Sequence, residues 1–112
     1  MLFRSRHRRL TPFQVFACDD GAVGLLGDFD VACQAAFERA MQRIHPTSDD
    51  TCLVFDMSAV RYMDHRALLI LDAFAQNCQV PVAVRSMPRI VRRIARVLGL
   101  EHLGGVHLGD SL

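Results

Sequence analysis

The stretch LVFDMSAVRYMDHRALLIL, residues 53–71, decides the fold of this chain. Apolar residues run from Cys52 to Phe55 and stop at Asp56, and a second apolar run, Ala67 to Leu71, opens only after Asp64. A buried strand that ends at Asp56, a short loop and a helix capped near Asp64 give this pattern. The helix start then carries Asp64, His65 and Arg66, where free backbone N–H groups and the helix dipole receive an anion or a partner.

The flanking segments complete a strand-and-helix alternation. Phe13, Val15 and Ala17 recur at every second residue and predict a first strand. Asp19-Asp20-Gly21 follows as a hairpin turn, because Asp-Gly suits a turn that needs positive φ. A second strand covers residues 22–26. Gly27-Asp28-Phe29-Asp30 closes it, with Asp30 as N-cap of a helix whose Cys33, Phe37, Met41 and Ile44 form one apolar stripe. Residues 46–50 read as a loop. The third strand, 51–56, is apolar on both faces, which predicts a central, parallel position. The helix after Asp64 buries Leu68, Leu71, Ala75 and Cys78. Residues 80–84 give a fourth strand, with Pro81 early in it where a missing donor is tolerated. Pro88 opens a last helix that turns Val91, Ile94 and Leu98 inward and stops at Gly99. Residues 106–108 add a short fifth strand. The order β-β-α-β-α-β-α predicts an α/β fold, a mixed sheet of four or five strands with helices packed on it.

Composition narrows the function classes. The 112 residues are 51% hydrophobic, enough for one domain with one core. A net charge of +1 gives no global attraction to nucleic acid or membrane. The chain has thirteen arginines and no lysine. Its four cysteines, Cys18, Cys33, Cys52 and Cys78, form no C-x-x-C pair and no metal-ligand spacing. Each lies in or beside an apolar stretch and reads as a small buried hydrophobe in a reducing, cytoplasmic setting. The longest apolar run is far short of a membrane span. The basic opening, with Arg4, Arg6, Arg8 and Arg9, reads as a flexible arm over residues 1–11 and not as a signal peptide, leaving 12–112 as the folded domain. The histidines and carboxylates show no metal constellation, and no phosphate loop or nucleophile elbow is present, so neither a cofactor nor catalysis is expected.

Three segments taken in order resemble the STAS domain, the family of anti-sigma factor antagonists and cytoplasmic domains of sulfate transporters: GLLGDFD at 24–30, LVFDMSAVRYMDHRALLIL at 53–71 and VPVAVRSMPRIVRRIARVLGLEHL at 80–103. The resemblance spans everything after the basic arm and implies a regulatory, non-enzymatic protein-binding module of bacterial transcription control. In that family the loop after the third strand usually reads Asp-Ser-Ser/Thr-Gly, and a GHKL-type kinase, itself the anti-sigma factor, phosphorylates the second hydroxyl residue. By that resemblance Asp64 matches the acid, His65 the first hydroxyl position and Arg66 the phosphoacceptor position, while Ala67 replaces the glycine. A guanidinium can neither accept a phosphoryl group nor imitate one. The resemblance therefore implies docking on a kinase-type anti-sigma factor without the covalent switch.

The residues expected to dock the partner are Asp28, Asp30, Met63, Asp64, His65 and Arg66, with Met63 exposed and the two loops joined in one charged patch. Two other readings stand beside this one: a sensor holding a nucleotide or other anion against Arg66, or a module that dimerises through the same surface. Arg89, Arg92, Arg93 and Arg96 fall at i, i+3, i+4 and i+7 and make a basic stripe on the last helix, read as a solvated face.

Overall fold

The computed structural model describes residues 12–46 and 51–100. Strand β1 is Gln14–Ala17 and β2 is Val23–Phe29; a 3₁₀ turn at Val31–Cys33 leads into helix α1, Gln34–Gln42. Strand β3 is Leu53–Met63, helix α2 His65–Asn77, strand β4 Val82–Arg85 and helix α3 Arg89–Leu98. The basic arm, residues 47–50 and the fifth strand expected at 106–108 lie outside the described residues.

The four strands form one sheet in the order β1-β2-β3-β4, antiparallel between β1 and β2 and parallel thereafter. This is the mixed α/β architecture expected, with β3 central. A strand order that advances one place at each crossover puts consecutive crossover helices on the same face when both turn right-handed. Contacts of α2 with both α1 and α3 agree with that arrangement. The hairpin turn forms at Asp19-Asp20-Gly21 as predicted: Cys18 N–H donates to the Ala22 carbonyl at 2.8 Å, and Gly21 sits at φ +90°.

Strand β3 departs from the expected pattern. It does not stop at Asp56 but runs seven residues further, and the segment read as a loop is its second half. The ladder with β2 explains why periodicity hid it. Gly24 pairs with Asp56 but Leu26 with Ala59, and Gly27 pairs with Val60 but Asp28 with Tyr62. Twice, β3 carries one residue more than its partner, which is the signature of a β-bulge. Each bulge resets the inside–outside alternation, so Met57, Val60 and Met63 are all buried although their spacing is three residues and not two. Strand β2 is likewise longer than the five residues predicted.

Phe29, Phe37, Phe55, Leu25, Leu68 and Val91 are fully buried and tie the sheet to all three helices. The rings of Phe13, Phe29 and Phe37 meet with centroids 5.0 to 6.1 Å apart, at tilted and edge-on angles that aromatic quadrupoles favour. Of the stripe predicted on α1, Phe37 and Met41 are buried, while Cys33 and Ile44 pack partly against the core. On α3, Val91 is buried and Ile94 half-buried. Leu98, expected to face inward, is 38% exposed because it occupies the last helical position before Gly99. Gly99 closes α3 in the left-handed region, at φ +68° and ψ +38°.

The opposite side of the sheet is fastened by charge. Neighbours along a strand alternate faces, so Phe55 and Val84 join the core while Asp56 and Arg85, paired in register, leave it. The Arg85 guanidinium donates from Nε to Asp56 Oδ2 and from Nη1 to Asp20 Oδ2, both at 2.7 Å, linking β4 to β3 and to the hairpin turn.

Candidate functional site

The site lies where β2 and β3 end side by side. Asp28 pairs with Tyr62 and Phe29 with Met63, so the parallel strands deliver Asp28-Phe29-Asp30 and Met63-Asp64 to one edge of the sheet. Asp64 N–H donates to the Phe29 carbonyl at 3.0 Å, stitching the exit of β3 to that of β2. This is the carboxyl end of a parallel sheet, the usual place for a binding surface in open α/β folds.

Two aspartates cap the turns that leave this edge. Asp64 is in extended conformation, and its Oδ1 accepts from Ala67 N–H at 3.0 Å, while its carbonyl receives the first helical bond from Leu68 at 3.1 Å. Asp30 Oδ1 accepts from Ala32 N–H at 3.1 Å and caps the 3₁₀ turn, which precedes the α-helix predicted to begin there. Both residues thus perform the N-cap role assigned from sequence.

Between them lies Cys33, whose thiol approaches the Asp30 carbonyl at 3.2 Å and the Asp28 carbonyl at 3.9 Å. Burial pushes this thiol above its ordinary range. The bond to the Asp30 carbonyl opposes that rise, and the nearby Asp30 and Asp64 charges add to it. Cys33 is half-buried and packs against the core, and a thiol shifted in this direction is a weaker nucleophile than a free one. The cysteines are free; Cys18, Cys33 and Cys78 are half-buried, but Cys52, expected inside, is exposed beside the start of β3. Among the described residues no group of three or more histidines, cysteines and carboxylates is placed to hold a metal ion. Among the same residues no helix is long and apolar enough to cross a membrane.

Of the predicted site residues, the fold gathers Asp28, Asp30, Asp64, His65 and Arg66 at one edge. Asp28, Asp30 and Asp64 are half-buried, and His65 and Arg66 are exposed on the first turn of α2. Met63 is the correction. It was expected at the surface, yet its side chain is fully buried, because the second bulge turns this last residue of β3 into the core. The exposed residue is its neighbour Tyr62, at 45%.

Val31 and Leu69 are also large, apolar and exposed, one at the start of the 3₁₀ turn and the other one turn into α2. The sequence could not reveal these three: Tyr62 falls in the segment read as loop, and Val31 and Leu69 fit the apolar runs of helices. Ser58, one residue into the first bulge, is a strand residue whose N–H donates to Asp56 Oδ1 at 2.7 Å.

Nothing in this arrangement pairs a nucleophile with a base. It is a capped, charged edge, and the elements that form it expose an aromatic and two aliphatic side chains as well as a cation, the residue types of a protein-docking surface. Residues 15–108 match the family model described as "Mlab, STAS domain", and the chain belongs to the STAS domain family. The fold is similar to the crystal structure of an anti-sigma factor antagonist from Mycobacterium paratuberculosis. The TM-score is 0.60 at 25% sequence identity, over 80% of this chain and 79% of that one. Among curated proteins, none matches the chain. Domains of this family are generally regulatory modules without enzymatic activity.

Proposed function

We propose that this chain is a cytoplasmic, non-catalytic regulator of the anti-sigma factor antagonist type, which docks on a GHKL-type anti-sigma kinase without a phosphorylation switch. The docking surface comprises Asp28, Asp30, Asp64, His65 and Arg66, with Val31, Tyr62 and Leu69 supplying its apolar part. One observation carries the reading: Arg66 is exposed on the first turn of α2, at the position where the resemblance puts the phosphoacceptor. The similarity to an anti-sigma factor antagonist supports the class of partner.

The position is physically unusual. A cation in the first turn of a helix opposes the macrodipole, at about 0.3–1 kcal/mol when exposed. The acidic residue at this helix start is the N-cap Asp64, whose Oδ1 accepts from Ala67 N–H, and none follows it in the first turn. A local rule broken without a gain in packing marks a residue kept for its surface. Arginine also recognises a carboxylate through two parallel hydrogen bonds, so the partner surface facing it is acidic. The reading as an anion sensor is less favoured, since the family match and the similarity to an anti-sigma factor antagonist support a protein partner.

The test is surface plasmon resonance of the chain against purified GHKL-type anti-sigma kinases from the same organism. Binding to one of them, weakened at least tenfold by Arg66→Glu, is expected. Incubation with that kinase and radiolabelled ATP leaves the natural chain unlabelled, whereas Arg66→Ser regains an acceptor alcohol. No binding to any such kinase, or label on Ser58 or His65 of the natural chain, overturns the proposal.

A further inference from the structure

Helix α3 carries a second surface, distant in sequence from the first. Its core side is Val91, buried, with Ile94 and Ala95 partly so. The apolar arc is wider than the core covers: Ile90 remains 54% exposed and Val97 81%. Ile90, Ile94 and Val97 stand at i, i+4 and i+7, spacing that places them in one stripe, about 10 Å long at 1.5 Å per residue. Arg89, Arg93 and Arg96, all exposed, follow the same spacing one residue earlier and form a parallel cationic stripe along its flank. Arg92, read from sequence as part of that stripe, is half-buried, with Nη2 3.5 Å from the Met87 carbonyl.

We infer that this double stripe docks an acidic amphipathic helix of a partner protein, apolar residues on Ile90, Ile94 and Val97 and glutamates or aspartates along Arg89, Arg93 and Arg96. Matching stripes of apolar and charged residues at heptad-like spacing are how helices recognise one another in grooves and coiled coils. Charge selects this occupant over the other two. A second copy of α3 on the stripe sets arginine against arginine, which disfavours self-pairing. An anionic bilayer suits a helix whose apolar face is open between basic flanks. Here one flank is turned into the protein core, and the net charge of +1 provides little long-range attraction to such a surface.

The probe is a designed 21-residue helical peptide with leucines at the a and d positions and glutamates along one flank. Its binding to the full chain is followed by fluorescence anisotropy, with ¹⁵N amide shifts to locate it. The glutamate peptide is expected to bind, with shifts centred on 89–97, and its lysine counterpart to bind at least tenfold more weakly. Both Arg93→Glu and the Ile90→Glu/Val97→Glu double variant weaken it at least tenfold; circular dichroism confirms that these surface variants stay folded. Arg66→Glu leaves it within twofold, which separates this surface from the one at the end of β3. Equal binding of both peptides, insensitivity to Arg93→Glu, stronger partition onto phosphatidylglycerol vesicles, or concentration-dependent dimerisation blocked by the same variants would each overturn the inference.

Discussion

Met63 and Arg66 are three residues apart, and the fold assigns them opposite fates. The Met63 side chain is wholly buried, opposite the equally buried Phe29 in the β2–β3 ladder, and adjoins the Asp64 N–H bond that closes the strand ends. Replacing a fully buried methionine with alanine removes three heavy atoms and leaves a cavity, at a cost of about 2–5 kcal/mol. A domain of this size is stable by about 5–15 kcal/mol, so the loss is a large fraction of the whole. With a urea m-value of about 1.5 kcal/mol/M for a small domain, a 3 kcal/mol loss lowers the midpoint by about 2 M.

Met63→Leu conserves volume and stays within about 1.5 kcal/mol. Arg66→Ala, at an exposed site, changes stability by no more than about 0.5 kcal/mol in either direction. Urea unfolding followed by circular dichroism measures all three. A midpoint for Met63→Ala within about 0.3 M of the natural protein, less than 0.5 kcal/mol at that m-value, would refute the bulged continuation of β3. Met63 would then stand outside, as the unbulged periodicity implies.

Asp64→Ala removes the cap on Ala67 N–H and is expected to cost about 1 kcal/mol, whereas Asp64→Asn, an equally good cap, costs little; equal losses in thermal denaturation argue against capping. Acid unfolding should track the Arg85 clamp. Arg85, followed by the Ala22 amide, holds Asp20 below its ordinary 3.8. At Asp56 burial pushes upward, but the Ser58 bonds and Arg85 outweigh it and hold that carboxyl below 3.8 as well. Carboxyls lowered in the folded state contribute stability that is complete above their unfolded pKa and lost as pH falls through the folded one. The midpoint gap between the natural chain and Arg85→Met is therefore present at pH 7 and narrows below about pH 4; a gap that widens in acid contradicts the clamp. With a thiol-reactive disulfide reagent, exposed Cys52 reacts first and Cys33 slowest among Cys18, Cys33, Cys52 and Cys78; the reverse order places Cys33 outside the site.

The order of elements along the chain was legible because its signals are local. Asp-Gly at 20–21, the caps at Asp30 and Asp64, and Gly99 each fix a backbone conformation through their own side chains or the lack of one. The extent of β3 was not legible, because a bulge is defined by a partner strand some thirty residues away. The run Met57, Val60, Met63 has neither strand nor helix periodicity until the β2 register is known. The same gap misplaced the surface: with β3 cut at Asp56, Tyr62 reads as loop and Met63 as exposed. Arg85 was invisible for a related reason. Its partners are 65 and 29 residues away, joined only by the sheet.

What the sequence did disclose about the site is a departure, an arginine where the resemblance puts a phosphoacceptor, and the structure adds a conflict to it. Asp64 begins α2 as a cap should, and two residues later Arg66 puts a positive charge where the helix dipole prefers a negative one. The buried residues on either side, Met63 and Ala67, fix the direction in which that turn presents its side chains, so the arginine cannot withdraw into the core. Capping and core packing both favour the fold, while the cation works slightly against it. Neither the cap nor the core packing calls on the guanidinium. A carboxylate on a docked partner does, because it returns the lost dipole energy and adds charge-assisted hydrogen bonds. On this argument, affinity and stability respond oppositely at Arg66: Arg66→Gln raises the unfolding midpoint slightly and weakens docking.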